Sequence, residues 1–521
     1  MAQPHTDPDP TGQRPDRVLL ALAGGVLWFA LARTMADPDL WGHVLFGLDL
    51  IRTGRVVRPD TYSYLSGSTP WINHEWLTEA LFGLAYRAAG ATGLVLLKMA
   101  VGLTAVGLVL AHLLRRGLRT LHAVVLLLLA FTLVTVGTNT VRPQIFSFLG
   151  LVLLLLALDA ADRRRARWLW SVPFVMAGWV NLHGGFLAGV ALLLVWGGAH
   201  LVAAVIRRRR GEPHAPPGLP AVGAAMAGGL LATFVNPYGV RLWTFLLETA
   251  TVARPEITEW AQTSLATWEG GCYLILLAGC AYAMLTHGRP PALPGLAIFL
   301  VLAFGALTAI RHLPLFGLAA PIVTADALAA LSRRRGAAGA SPRSLRFAAL
   351  LLLLTAGLVA LAIPWLRGPR IEAAGQVFPA RAVGVLRDSG VSGNLAVHFD
   401  WGEYAIWHLA PALKVSVDGR RETVYDEEIY AANIQFIFGV GDWDHLLDDH
   451  PTDLALIPRH LPVYNLLQLK PGWSPVYEDD VAAVFARDGS SLAARIRATP
   501  PPDLPPDGDE LRFPVAPPRV R

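Results

Sequence analysis

Long apolar runs, separated by short polar or arginine-rich segments, recur along the chain from Val18 to about Trp365. A helix needs about 20 mostly apolar residues to cross the roughly 30 Å hydrocarbon core of a bilayer. The pattern therefore predicts an all-α membrane bundle of about 11 transmembrane helices. The runs lie at about 18–35, 92–113, 121–138, 144–160, 168–180, 186–206, 218–235, 271–287, 292–310, 313–331 and 347–365.

Two segments of this pattern are ambiguous. The run 168–180 is short and contains Pro173. The segment 75–90 is amphipathic, and it can either lie in the membrane interface or extend the following span.

The chain changes character after the last apolar run. The stretches "NLAVHF", "LKVSVDG", "DLALIP" and "AAVFAR" alternate as strands do, whereas "WGEYAIWHL" and "DEEIYAANIQFIFG" have helical patterns. We therefore predict a small soluble α/β domain. The expected organisation is a cytoplasmic tail at 1–17, a membrane domain at 18–366 with a loop at 36–75, a soluble domain at 367–490 and a proline-rich disordered tail at 491–521.

Arginine in short loops sets the orientation, because cytoplasmic loops carry an excess of positive charge. If the N-terminus is cytoplasmic, every large cluster falls inside, and both the 36–75 loop and the soluble domain lie outside. The first run then acts as an uncleaved signal anchor, although Ala30 and Ala32 also fit a signal-peptide cleavage site. The inside arginines are Arg115, Arg116, Arg119, Arg163, Arg164, Arg165, Arg167, Arg207, Arg208, Arg209, Arg210, Arg333, Arg334, Arg335, Arg343 and Arg346.

The net charge of +5 comes from these clusters between apolar runs, not from a basic face interleaved with aromatic residues. We therefore expect no nucleic-acid partner. A multi-pass protein of a bacterial cell membrane, surrounded by lipid, is the expectation.

The stretch "MADPDLWGHVLFG" follows the first span. Asp37 can cap a helix that begins at Pro38, and Gly54 can end it. Asp39 and His43 are four residues apart and share one face of that helix. Capping explains one of the two acids, but not the pair.

A second polar cluster, "WINHEWLTE", includes His74 and Glu75. With Asp37, Asp39 and His43, these side chains could bind a divalent metal such as Mg²⁺ or Mn²⁺, although their spacing matches no specific ligand motif. Alternatively, the tryptophans form an interfacial belt and the polar side chains bond to loop backbone.

Other polar residues fall at span ends on the same predicted face. Because polar groups near a bilayer are costly and usually line a site, these suggest one shared extracytoplasmic site. The alternatives are turn residues in short loops and, for an arginine, snorkelling to lipid headgroups. These candidates are Arg142, His183, Glu256, Glu259, Arg311 and His312.

The topology and the Asp37-Pro-Asp39-Leu-Trp-Gly-His43 stretch resemble the GT-C glycosyltransferases, which include protein mannosyltransferases, aminoarabinose transferases and oligosaccharyltransferases. The resemblance in topology covers 18 to about 490. The oligosaccharyltransferase motif W-W-D-x-G is not found, and "DWGEY" at 400–404 is a partial echo.

The resemblance implies transfer of a sugar from a polyprenyl-phosphate carrier to an extracytoplasmic glycan, lipid or protein acceptor, with inversion. Asp39, and after it Asp37, would be the acid/base. The implied substrate-binding residues are His43, His74, Glu75, Arg142, His183, Arg311 and His312, the arginines because their fork suits phosphate oxygens.

Two other classes of function stay open. A transporter or flippase of a lipid-linked substrate needs ionisable residues near span midpoints, and Lys98 is a rare example here. A non-catalytic assembly protein would keep the architecture without the chemistry. In the soluble domain, Asp418, Arg420 and Arg421 either contact the acceptor or form a salt-bridged turn.

Overall fold

A computed structural model describes residues 16–56, 58–67, 71–213, 216–249, 258–335, 347, 370–373, 377–503 and 511–514. Most of the predicted span at 347–365, most of the tail at 1–17, and Glu256 lie outside the described residues. In the proline-rich C-terminal segment, 491–503 and 511–514 are described, and the first of these stretches includes a helix, Ser491–Ala498.

The first part of the chain is helical, and helices fall on the first ten predicted runs. The helix α3 also includes the ambiguous segment 75–90, through a kink at Ala89 and Gly90. The helices are α1 (Arg17–Ala32), α2 (Leu40–Thr53), α3 (Trp76–Arg115), α4 (Thr120–Thr135), α5 (Gln144–Asp162), α6 (Ser171–Leu182), α7 (Phe186–Arg209), α8 (Leu219–Ala232), α9 (Val240–Thr249), α10 (Trp268–Thr286), α11 (Leu293–Thr308), α12 (Leu313–Val323) and α13 (Ala325–Arg335).

Length and composition separate these helices into two groups. Within the described residues, α3, α5, α7 and α10 are long and apolar enough to cross a membrane. The pair Ile310–Val323 and Ala325–Arg333, bent by 60°, adds a fifth candidate. The apolar helices α1, α4, α8 and α11 are shorter, with 10–17 residues. The chain is thus a mostly helical multi-pass membrane protein. Its described part contains four or five units of span length, and the predicted set of 11 spans is not confirmed.

The C-terminal part contains a small mixed sheet, whose strands lie in the order β3 (Leu413–Val415), β2 (Gly393–Val397), β4 (Leu454–Pro458), β6 (Ala482–Arg487) and β5 (Trp473–Glu478). Strand β2 pairs in parallel with β3 and β4, whereas β6 runs antiparallel to β4 and β5. The four predicted strands are confirmed, and β5 is an addition. The strands are β1 (Glu372–Ala373), β2 (Gly393–Val397), β3 (Leu413–Val415), β4 (Leu454–Pro458), β5 (Trp473–Glu478), β6 (Ala482–Arg487) and β7 (Leu511–Arg512).

Helices pack around this sheet and join it to the membrane part. Both predicted helices are present, as Gly402–Leu409 and Glu427–Phe438. The others are Ala380–Ser389, His445–Asp448, Pro462–Leu469 and Ser491–Ala498. Trp41 of α2 is fully buried against Phe378, Tyr404 and Phe513, with ring centroids 4.5–5.2 Å apart, so α2 shares its core with the C-terminal domain.

The first loop extends the edge of the C-terminal sheet. The amide of Val415 in β3 donates to the carbonyl of Tyr62 at 3.0 Å, and Tyr64 donates back to the carbonyl of Val415 at 3.1 Å. The Ser63 hydroxyl donates to the Ser416 carbonyl at 2.9 Å. The edge strand of the sheet is therefore covered by the loop rather than left unpaired.

A buried arginine, Arg420, also connects the first loop to the C-terminal domain. Arg420 contacts Asp60 of the loop at 2.5 Å and Asp418 of its own domain at 2.6 Å, and it is 8% exposed. Its guanidinium also lies 4.8 Å from the ring centroid of Trp71. Of the two interpretations of this turn, the salt-bridged one fits Asp418 and Arg420.

Lys98 of α3 forms hydrogen bonds to the segments that follow α1 and α4. Its ammonium, buried within α3, donates to the Arg33 carbonyl, the Thr34 hydroxyl and the Thr138 carbonyl at 2.8–2.9 Å. These bonds hold the end of α1 beside the connection that follows α4. The same two connections carry the acids after α1 and the arginine at position 142, which lie next to each other.

Candidate functional site

The two acids of the first loop have different roles in the backbone. Helix α2 begins at Leu40 and ends at Gly54, whose φ of 65° suits glycine, as predicted. Asp37 does not cap this helix as expected; Asp39 occupies the cap position, without a side-chain capping bond. The Asp37 carboxylate instead accepts the Asp39 amide at 3.1 Å, a local turn that orients the second acid.

Arg142 joins three carboxylates at this point. Its Nη2 lies 2.6 Å from Asp39 Oδ2, its Nε lies 3.2 Å from Asp37 Oδ2, and its Nη1 lies 2.7 Å from Glu259 Oε1. The planar guanidinium presents several donors in a fixed geometry, so one side chain can hold all three acids. Arg142 thus contacts acidic side chains of the protein rather than projecting toward lipid headgroups.

The two aspartates differ in exposure and charge. The Asp37 side chain is 11% exposed, and the Asp39 side chain is 23% exposed. Burial raises the pKa of Asp37 to about 6, against the opposing charge of Arg142 and with the charge of Asp39 adding to the rise. Asp39 is therefore the more accessible of the two carboxylates.

A second cluster surrounds Glu75, just before α3. Three imidazole Nε2 atoms approach its carboxylate: His183 at 3.5 Å, His74 at 3.7 Å and His43 at 3.9 Å. The structure thus brings together residues that the sequence suggested from three separate segments.

His43 carries positive charge in this cluster. Its Nδ1 lies 3.3 Å from Glu79 Oε1. Burial alone would lower the pKa of His43, but the hydrogen bond to Glu79 and the charges of Glu75, Glu79 and Asp39 raise it to about 9. The protonated imidazole of His43 therefore lies between the carboxylates of Glu75 and Glu79.

His183 is held in the opposite state. Its Nδ1 accepts the Gly185 amide at 3.0 Å and lies 2.7 Å from the Ser147 hydroxyl, which in turn accepts the indole N–H of Trp179 at 2.7 Å. Burial, together with the positive charge of Arg311, lowers the pKa of His183 well below its usual value. These bonds assign a neutral ring with its proton on Nε2, facing Glu75.

The remaining two candidates lie at the start of α12. The Arg311 guanidinium is 4.3 Å from the ring centroid of Trp260, and its charge reaches His183. His312 turns away from the acids, since its Nδ1 lies 3.0 Å from the Gly305 carbonyl oxygen. It therefore lies apart from the clusters around Arg142 and Glu75.

Three site residues were missed or given low weight by the sequence. Glu79 is buried beside His43, and Glu259, a span-end candidate that is not among the implied substrate-binding residues, contacts Arg142. Glu403 lies beside Asp39, from the partial echo "DWGEY". The stretch "DWGEY" is the sequence signal that could have indicated Glu403.

A divalent cation bound by Asp37, Asp39 and His43 does not fit this arrangement. The guanidinium of Arg142 lies against both aspartates, where such a cation would bind, and His43 faces Glu79 instead. Among the residues that the structure describes, no group of three or more His, Cys, Asp or Glu side chains could hold a metal ion. The acids are compensated by a cation of the chain itself.

Solved structures match the chain over most of its length, whereas no family model and no curated protein matches its sequence. The apo oligosaccharyltransferase of Archaeoglobus fulgidus aligns with a TM-score of 0.53 at 12% identity, over 85% of this chain and 69% of that one. The same enzyme tethered to an acceptor peptide with the NVT sequon gives 0.54 at 13% identity, over 96% and 75%. ArnT from Cupriavidus metallidurans gives 0.50 at 17% identity, over 90% and 97%. The chain has the GT-C fold.

The GT-C fold confirms the resemblance drawn from the first loop and the topology. Because the sequence identities are 12–17%, these matches show a similarity of fold and not of function. What this chain does with the GT-C fold depends on its own side chains, above all the acids around Arg142.

Proposed function

We propose that the chain is a membrane glycosyltransferase that moves a sugar from a polyprenyl-phosphate carrier to an extracytoplasmic acceptor, with inversion of the anomeric centre. The observation that carries the proposal is the Asp39–Arg142 pair at the end of the first apolar helix of a GT-C fold. A general base must lie within hydrogen-bond reach of the hydroxyl that it activates, and the ion pair with Arg142 fixes the direction of the Asp39 carboxylate.

Asp39 is the proposed base. As the acceptor oxygen bonds to the anomeric carbon, its proton passes to Asp39, and the bond from that carbon to the phosphate oxygen breaks with its electron pair. Asp37 is less exposed and accepts the Asp39 amide, so its role is to orient Asp39. Arg142 lies between the two carboxylates and contacts Asp37 through Nε and Asp39 through Nη2, which fixes their positions relative to each other.

Positive charge for the leaving phosphate comes from the other cluster. His43 is protonated at neutral pH, and Arg311 lies within electrostatic reach of His183. His74 and Glu75 complete this region, with the Glu75 carboxylate 3.5 Å from His183 Nε2 and 3.7 Å from His74 Nε2. His183 contributes its Nε2–H group, whereas Arg142 is occupied by the three carboxylates and His312 lies apart from both clusters.

The transporter alternative loses its main support. Lys98 is tied to two carbonyls and a hydroxyl between helices, so its charge holds the fold together rather than facing a path for substrate. The assembly-protein alternative stays open to experiment, because it predicts the same fold without turnover.

The test compares Asp39→Asn with Asp388→Asn, the same change at an exposed carboxylate of the C-terminal domain. Membrane vesicles are supplied with polyprenyl-phosphate sugars, and lipid-linked sugars and surface glycans are followed by mass spectrometry, including in a deletion strain. We expect Asp39→Asn to abolish transfer while lipid-carrier binding and expression persist. Unchanged transfer in Asp39→Asn would remove this residue from the mechanism.

A further inference from the structure

Glu403 is a buried acid that the mechanism above does not use. It lies in the first turn of the helix Gly402–Leu409, on the side of the C-terminal domain that faces α2. Glu403 is only 3% exposed, and its Oε2 has no hydrogen-bond partner among the described residues. An unpaired buried carboxyl oxygen costs free energy, so its protonation state and its neighbours require an explanation.

Two glycines show how closely this carboxyl group is surrounded. A methyl group at Gly42 of α2 would lie 2.1 Å from Glu403 Oε2. A methyl group at Gly419 would lie 2.1 Å from Asp39 Oδ1 and 3.1 Å from Glu403 Oε1. The two carboxyl groups therefore share the space over Gly419, one from the membrane part and one from the C-terminal domain.

The charges around the pair favour a neutral Glu403. Burial comes first, and the negative charges of Asp39 and Asp418 add to it, so that the pKa of Glu403 is raised well above its usual value. Arg420 opposes the rise, but it is already bound to Asp60 and Asp418. The charged groups that face Glu403 are Asp39, Glu79, Asp418 and Arg420. The charged groups that face Asp39, besides Glu403, are Asp37, His43, Arg142 and Asp400.

We propose that Glu403 is a positioning residue that stays protonated and donates its carboxyl proton in a hydrogen bond to Asp39. The oxygen against Gly42 is then the carbonyl oxygen, which carries no charge and packs on α2 where that helix has no side chain. The C-terminal domain thereby approaches Asp39 at Oδ1, whereas Arg142 holds Oδ2. The catalytic part of this inference rests on the proposed function, whereas the protonation of Glu403 does not.

The hydrogen bond has a defined effect on the pH dependence. A donor to a carboxylate stabilises the ionised form and lowers its pKa. Glu403→Gln keeps a neutral donor of the same shape, so the acid limb of the transfer rate should not move. Glu403→Leu removes the donor, so the acid limb should move to higher pH by roughly one unit.

Infrared spectroscopy tests the protonation without turnover. Purified full-length protein in lipid nanodiscs is compared with Glu403→Gln and with the control Asp388→Asn at neutral pH. We expect a carboxylic-acid C=O band in the wild type that Glu403→Gln removes and Asp388→Asn retains. A wild-type spectrum identical to that of Glu403→Gln would overturn the proposal.

The transfer assay supplies the second measurement, on the same three proteins and on Glu403→Leu. An acid limb that moves to lower pH in Glu403→Gln would show that a negative charge had been removed, and it would also overturn the proposal. If the wild type transfers no sugar at all, the proposed function fails, and the infrared band still decides the state of Glu403.

Discussion

Arg142 and Asp39 form the ion pair on which the site is centred, with Nη2 and Oδ2 2.6 Å apart. The two residues come from different loops, one after α1 and one before α5. Lys98 bonds to both connections, at the Arg33 and Thr138 carbonyls, and so joins the segments that carry the pair.

Replacement of Arg142 by lysine tests the need for a branched cation. A single ammonium group cannot contact Asp37, Asp39 and Glu259 with the same geometry, so Asp39 loses its fixed direction. We expect Arg142→Lys to reduce transfer on the order of 100-fold while expression is retained. The control is Arg387→Lys, the same change at an arginine of the C-terminal domain that pairs with its neighbour Asp388, and equal rates in both variants would contradict the prediction.

Removal of divalent metal ions by a chelator tests whether transfer needs a metal at Asp37 and Asp39, which Arg142 already contacts. Because the guanidinium already contacts both aspartates, transfer by the wild type should be unchanged in excess EDTA and should not respond to added Mg²⁺ or Mn²⁺. The measurement is the initial rate of transfer in vesicles stripped of divalent ions. Loss of activity in EDTA that Mn²⁺ restores would contradict this assignment.

Much of the helical fold was predictable because a bilayer imposes long apolar runs on a chain. The run predicted at 144–160 is the helix Gln144–Asp162, and Gly54 ends α2 as its position indicated. The number of spans was not settled in the same way, since α1, α4, α8 and α11 are shorter than the usual crossing length.

The site was harder to predict, because its contacts join residues far apart in the chain. The sequence indicated Asp37, Asp39 and Arg142 separately, but no spacing rule places a guanidinium between two aspartates. Glu403 lay outside the predicted site because a carboxylate in a soluble helix is normally solvated. Only the docking of that helix on α2 buries it.

Arg420 should be essential for the attachment of the first loop to the C-terminal domain. Arg420→Met would leave Asp60 and Asp418 buried without their cation, which typically costs about 3–5 kcal/mol. We expect a lower melting temperature in detergent and faster proteolysis of the loop. Arg387→Met, at a partly exposed pair, should change stability by less than about 1 kcal/mol. Equal melting temperatures would show that the network contributes little.

The charge on His43 predicts a pH-dependent contribution to stability. Its pKa is raised to about 9 in the folded chain, above the usual 6.5, so the added stability is fully present below about pH 6.5 and is lost as pH rises through 9. The difference in melting temperature between wild type and His43→Gln should therefore shrink between pH 6.5 and about 9.5. Taking this difference largely cancels the titration of groups common to both proteins. A constant difference across that range would mean that His43 is not charged in the folded state.

Cysteine labelling tests the orientation on which the proposed reaction depends. Cys272 and Cys280 are both buried, so the wild type should give a low background with a membrane-impermeant maleimide. Arg55→Cys and Arg165→Cys place single exposed thiols on opposite predicted faces, in the first loop and in the connection after α5. We expect labelling of Arg55→Cys in intact cells, and labelling of Arg165→Cys only after the membrane is opened. The reverse pattern would put the acids in the cytosol, where an extracytoplasmic acceptor cannot reach Asp39.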